Sequence, residues 1–186
     1  MAALETIELT VQERGILATS ASAAYLNEFS KTGWRPTGSA LQQPVLCTRT
    51  RTYYSRGQKF RVEWKDYGQP LPSWFDPLVQ GLVDLRTLSP NWDSYNAMPI
   101  NPKLVNTALT FMSGLLGPSS PAPRVVPLSS GGLQLEWHRK GVDVEVVFDQ
   151  DERPYFYRRN RASGEESEHG LPEERNLLAA IISNLE

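Results

Sequence analysis

The sequence predicts an α+β fold: a four-stranded antiparallel meander over about residues 124–159, covered by helices and preceded by a second β-hairpin over about residues 45–66. Three observations predict it. From Leu133 to Phe148 apolar and charged residues alternate with the period of two that an extended strand requires, since successive side chains face opposite sides of a sheet. Short polar stretches containing glycine separate these runs. Four other runs, one near the C-terminus, space their apolar residues as a helix does.

Residues 6–11 form a short alternating run suited to a strand, and residues 18–29 are alanine-rich, with apolar positions that would line a helix face. Residues 30–44 shift to Gly, Pro, Ser, Thr and Gln, the composition of a loop. In the hairpin that follows, Ser55, Arg56 and Gly57 occupy the turn, Phe60, Val62 and Trp64 share one face, and Lys59, Arg61, Glu63 and Lys65 share the other. With Arg49, Arg51 and Arg56 against Glu63 and Asp66, the hairpin carries six basic and two acidic residues, so it is locally basic in a chain of formal net charge -2.

Ser73 and Asp76 have the spacing of a capping box, and Phe75, Leu78, Val79, Leu82, Val83 and Leu85 continue it as a helix ending near Leu88. Asn101 before Pro102 signals a second helix, with Leu104, Val105, Ala108, Leu109, Phe111 and Met112 on one broad face that covers the meander. In the meander, Leu133, Leu135 and Trp137 oppose Gln134, Glu136 and His138. Arg139, Lys140 and Gly141 connect this strand to Val142–Phe148, and Tyr155, Phe156 and Tyr157 supply the last strand. Residues 160–170 read as a polar, mobile segment containing His169. A final helix opens at Pro172, Glu173 and Glu174, with Leu177, Leu178, Ile181 and Ile182 turned inward. The chain thus divides into residues 1–70, bearing the basic hairpin, and a helix-helix-meander-helix core over residues 71–186, packed together as one globular unit.

At 186 residues, 40% hydrophobic, the chain is long enough to bury a sizeable core. Its small net charge gives no global pull towards nucleic acid or acidic membranes. Cys47, the single cysteine, excludes an intrachain disulfide and is expected to be a buried, inert thiol in a reducing cytoplasm. The N-terminus lacks the pattern of a secretory signal, and no apolar run reaches the roughly 18 residues that span a bilayer, so a cytoplasmic protein without membrane contact is expected.

Three groups of residues are candidate sites. In the connector at residues 91–97, Trp92 and Tyr95 offer flat surfaces with polar tips and Asp93 an acceptor for a partner; equally, Trp92 plugs the core edge while Asp93 caps the loop's own amides. Arg49, Arg51, Lys59, Arg61 and Lys65, interleaved with Tyr53, Tyr54 and Trp64, suit an acidic protein or nucleic acid, and also suit the charged edge that protects a sheet. Glu136, His138, Asp143 and Glu145 gather on the polar face of the meander, where carboxylates could hold a divalent cation and the histidine act as a base; the bland reading is a solvated face paired with Arg139, Lys140, Arg158 and Arg159. No dinucleotide fingerprint, phosphate loop, nucleophile elbow or H-E-x-x-H motif occurs, and no cofactor is expected.

The run Asn91-Trp92-Asp93-Ser94-Tyr95-Asn96-Ala97, with Ser130-Gly131-Gly132-Leu133-Gln134-Leu135-Glu136-Trp137-His138 beyond a proline-entered helix, resembles a group of uncharacterised bacterial proteins sharing a W-D-x-Y-x-A loop and a G-G-x-x-L-E-W strand. The resemblance covers roughly residues 80–150 and implies a bacterial or mobile-element origin, with no activity to carry over. The expectation is a non-enzymatic interaction or regulatory protein that binds a macromolecular partner through the aromatic loop and the basic hairpin, a protein first, with nucleic acid as the alternative through the basic hairpin. The rival is a metal-dependent hydrolase or nuclease built on Glu136, His138, Asp143 and Glu145.

Overall fold

The structure, a computed structural model, describes residues 4–8, 47–66, 68–150, 153–171 and 173–186. In chain order these form β1 (Leu4–Glu8), β2 (Cys47–Ser55), β3 (Gln58–Asp66), α1 (Phe75–Arg86), α2 (Pro102–Ser113), β4 (Arg124–Pro127), β5 (Leu133–Arg139), β6 (Val142–Phe148), β7 (Tyr155–Asn160), β8 (Glu166–Gly170) and α3 (Arg175–Ser183). The helix and loop expected over residues 18–44, and residues 9–11 of the first predicted strand, lie outside the described residues. The α+β class holds, with antiparallel pairing dominant.

Two tight turns set the registers. Arg56 and Gly57 have φ of 45° and 80°, and Lys140 and Gly141 have 50° and 75°. Both central residues are left-handed in each, the turn whose twist matches that of the strands it joins. The first turn places Ser55 opposite Gln58 and carries β2 along β3 to Cys47 opposite Asp66. The second places Arg139 opposite Val142. One sheet has the order β1-β3-β2, with β1 parallel to β3, and the other β4-β5-β6-β7-β8, antiparallel throughout.

The meander therefore has five strands, one more than the sequence pattern showed. Residues 166–170, expected to be mobile, pair with β7, and His169 stacks on Phe156 with ring centroids 4.9 Å apart. Asn160 builds the connecting turn: its Oδ1 accepts from the amides of Ala162 at 2.9 Å and Ser163 at 3.3 Å, and Gly164 closes the turn at φ 72°.

One cluster of buried apolar side chains joins Tyr53, Phe60, Val62 and Trp64 of the first sheet to Leu133, Leu135, Trp137, Val144, Val146, Phe148 and Phe156 of the second. Helix α1 lies between them. It inserts Phe75, Leu78, Val79, Leu82, Val83 and Leu85, all buried, and packs against both β2 and β4. At Gly81 a Cβ would stand 2.6 Å from a methyl of Val125, so only glycine lets the helix approach β4 this closely. Helix α2 covers part of β6, with Phe111 edge-on to Phe148 at 6.0 Å. Its Asn101 caps it as expected, accepting from the amide of Lys103 at 3.0 Å.

Three expectations about single residues are corrected. No side chain caps α1: Trp74 holds the N-cap position, and Asp76 instead accepts hydrogen bonds from Arg51 and from Tyr53 Oη, the latter at 2.7 Å. Leu177 is exposed, because the inward stripe of the short α3 has room only for Leu178 and Ile182, with Ile181 half-buried beside them. Cys47 is exposed, since it starts β2 beyond the last turn of the core.

Candidate partner-binding surfaces

The connector between α1 and α2 is held by its own polar groups. The Asn91 amide donates to the Ala97 carbonyl at 2.8 Å, and Asn91 Oδ1 accepts from the Asn96 amide at 2.7 Å. Asp93 Oδ1 accepts from the amides of Tyr95 at 2.7 Å and Ala97 at 3.1 Å, which is the capping role the sequence suggested. Asn91, Ser94 and Asn96 take φ of 61°, 66° and 74°. Asparagine tolerates that region, but Ser94 there costs about 1–2 kcal/mol, which the surrounding bonds must offset.

This loop is seated on the other half of the molecule. The Met98 amide donates to the Ser129 carbonyl at 2.8 Å and the Asn101 amide to the Gly131 carbonyl at 2.9 Å. Gly131, at φ 87°, leaves no space for a Cβ, which would lie 2.8 Å from the Pro99 carbonyl. Gln150 Nε2 donates to the Ser130 carbonyl at 2.9 Å, and Ser130 Oγ donates to Asp149 Oδ2 at 3.0 Å. The stretches at residues 91–101 and 128–132 thus meet as one structural unit.

What that unit presents is aromatic and apolar. Tyr95 is 88% exposed and Met98 51%, whereas Ala97 and Ile100 beside them are buried. Trp92 is half-buried, its Nε1 donating to the Met98 carbonyl at 3.3 Å. Met98 is a surface residue that the sequence reading passed over. Its place, just outside an Asp-capped turn and before a proline, was the available signal.

The five basic candidates do not form one patch. Registry places Arg49 opposite Trp64 and Arg51 opposite Val62, on the face that turns towards the core. Arg49 bonds Asp66 and the Gln69 carbonyl and lies over the Trp64 ring at 5.6 Å, while Arg51 pairs with Asp76. Asp66, which also accepts from Trp64 Nε1 and the Gly68 amide, is pushed up by burial, but these bonds outweigh it and hold its carboxyl below the usual range. Lys59, Arg61 and Lys65 stand on the opposite face, exposed, in register with Tyr54, Thr52 and Thr48, and among them Arg61 approaches Glu63 at 3.6 Å.

On the polar face of the second sheet, Glu136, His138 and Asp143 do converge. His138 Nδ1 lies 2.6 Å from Asp143 Oδ1 and its Nε2 lies 3.2 Å from Glu136 Oε2. Arg161, from the turn before β8, forms a two-oxygen contact with Asp143. The bond from Arg161, with that from His138, holds the Asp143 carboxyl down at about 2, and the bond to Asp143, with a second to Glu136, raises the His138 imidazole above its ordinary value. Glu145 stands across the strands from Glu136, outside these bonds. Among the described residues no three His, Cys, Asp or Glu side chains are placed to hold a metal ion. The arrangement is a charge-paired ladder in which Asp143 already has both oxygens engaged.

Comparison with known proteins adds nothing to this geometry: no family model, no curated protein and no solved structure matches the chain. Among the described residues no helix is long and apolar enough to cross a membrane.

Proposed function

We propose that this is a non-enzymatic interaction or regulatory protein that engages a macromolecular partner, most directly another protein, through the loop at residues 91–98. The carrying observation is Tyr95: an aromatic ring 88% exposed, on a backbone fixed by Asp93 and Asn91 and docked on the turn at residues 128–132. A tyrosine so placed loses little further freedom when it is covered, so its contact area converts to affinity efficiently. Met98 and the half-buried Trp92 extend the surface with groups that adapt and stack. A bacterial origin, and with it a bacterial partner, is part of the same proposal and rests on the resemblance of the two stretches that meet here.

The test is site-specific photo-crosslinking. A photoreactive phenylalanine analogue at position 95, expressed in the native host, is expected to give one discrete adduct. The same group at exposed Ala162, in the turn before β8, gives none. Absence of an adduct at 95, or identical adducts at both positions, overturns the reading.

A further inference from the structure

The outer face of β2 and β3 is a second surface, of different chemistry. Its residues are Thr48, Thr50, Thr52 and Tyr54 on β2 and Lys59, Arg61, Glu63 and Lys65 on β3, with β1 along the other side of β3, where Leu4, Thr6 and Glu8 are in register with Lys59, Arg61 and Glu63. Those of β2 and β3 are exposed, all but the half-buried Glu63, with Tyr54 at 65%, and no described element packs over them. Because Arg49 and Arg51 are drawn to Asp66 and Asp76 behind the sheet, this face is defined by the three remaining cations. Those cations belong to a hairpin with six basic and two acidic residues in a chain of formal net charge -2, so charge has been segregated onto it.

We infer that this face binds single-stranded nucleic acid. Lys59, Arg61 and Lys65 lie in one line along one strand, the first two separated by two residues of rise, about 6.8 Å, and the third four residues further, about 13.6 Å, so they can meet two consecutive phosphates and the next but one of an extended backbone. The threonine hydroxyls opposite them are the neutral donors that phosphate oxygens accept from. Tyr54, directly across from Lys59, supplies the π-face on which a base stacks, and sequence-tolerant binding of single strands combines such a platform with a cationic track. Glu63 interrupts the line but is turned towards Arg61, 3.6 Å away. An acidic protein would use the cations and leave Tyr54 and the threonines idle, which is why nucleic acid is favoured. The inference rests on reading the molecule as a binding protein but not on the Tyr95 loop.

Fluorescence anisotropy with labelled oligo(dT) and oligo(U), each about 15 nucleotides long, tests it, with a duplex of equal length and polyglutamate as competitors. Expected are binding at low salt that neither competitor displaces efficiently, and a steep loss of affinity as salt rises. Lys59→Gln/Arg61→Gln/Lys65→Gln should weaken binding at least tenfold and reduce the log–log salt slope by about 2, at ~0.7 per single-strand phosphate. Tyr54→Ala should weaken it about tenfold with the slope unchanged. Tyr95→Ala should leave it intact, so this result and the crosslinking result fail separately. All the substituted side chains are exposed, and a thermal melt confirms that each variant folds. No binding at low salt, displacement by polyglutamate as readily as by oligonucleotide, or full binding by the triple variant overturns the inference.

Discussion

Both sheets turn one face to the core and one to water, yet they dispose of their outward charges in opposite ways. On the five-stranded sheet the charges are consumed locally: Glu136 and Asp143 flank His138, Arg161 holds Asp143, and Arg159 reaches Glu166 at 3.4 Å. On the first sheet Lys59 and Lys65 have no acid in register among the described residues, since Lys59 lies between Tyr54 and Leu4 and Lys65 is opposite Thr48. A self-compensated face serves the fold, because its groups are satisfied before anything binds. A surplus of one sign is weakly self-repelling and gains by meeting a partner. Alternation of polar and apolar residues cannot separate the two cases; cross-strand registry does.

The largest effect tests what the faces have in common. Phe60 of the first sheet and Phe156 of the second are fully buried in the same apolar cluster. Phe60→Ala and Phe156→Ala should each cost about 3–5 kcal/mol, as for other large-to-small changes in packed cores. In urea each variant should still unfold in one transition. Two separated transitions would show that the sheets are independent units and that the contrast is between two domains.

Next in size are three substitutions on the outer faces, one on the second sheet and two on the first. Asp143→Asn removes the charge and one of the two acceptor oxygens that His138 and Arg161 share, and a fall of about 2–4 °C in Tm is expected, the modest value reflecting partners that are 41% and 53% exposed. Lys59→Gln and Lys65→Gln should change stability by less than about 0.5 kcal/mol, because neither lysine compensates a neighbour. Equal losses at both sites would erase the distinction between a structural and a presenting face.

Much of this was legible in the chain. The turn dipeptides Arg56-Gly57 and Lys140-Gly141, flanked by alternating residues, place both hairpins, and Asn101-Pro102 places α2. The two-residue turn even implies that Arg49 and Arg51 share the face of Phe60, Val62 and Trp64, so grouping them with Lys59 ignored a parity the sequence contained. β8 escaped because Glu166-Ser167-Glu168-His169-Gly170 has no apolar alternation: its ladder is held by β7 alone, and only Asn160 and Gly164 announced the turn. Asp76 escaped because local spacing fits a cap, while the acceptor it becomes depends on where β2 lies. For the binding loop, the capping role of Asp93 could be read directly, but its seat on Gly131 joins residues about thirty positions apart and needed the folded chain.

The smallest effect is also the most directional. In the imidazolium form both His138 nitrogens donate, to Asp143 and to Glu136. Arg161 touches Asp143 from the next turn and Arg159 lies opposite it on β7, so Asp143 stays charged and compensated either way. When His138 loses its proton, one nitrogen becomes an acceptor. The remaining N–H stays on the Asp143 side, where the contact is shorter, and Glu136 then faces a lone pair with Glu145 opposite. Because the folded-state value of His138 is raised, its contribution is fully present below the unfolded value of about 6.5 and is lost as pH climbs through the folded value. Asp143, depressed to about 2, contributes above its unfolded value of about 3.9 and loses that only as pH falls towards 2. The gap in Tm between wild type and His138→Gln should therefore be widest between about pH 4 and 6.5 and narrow above it, whereas the Lys59, Arg61 and Lys65 variant should show no such dependence. Thermal melts across that range, with an NMR titration of the His138 ring, measure both. A His138 titrating at or below the ordinary histidine value would mean that its carboxylate neighbours do not compensate it, and the outer face of the second sheet would then be no more self-satisfied than the first.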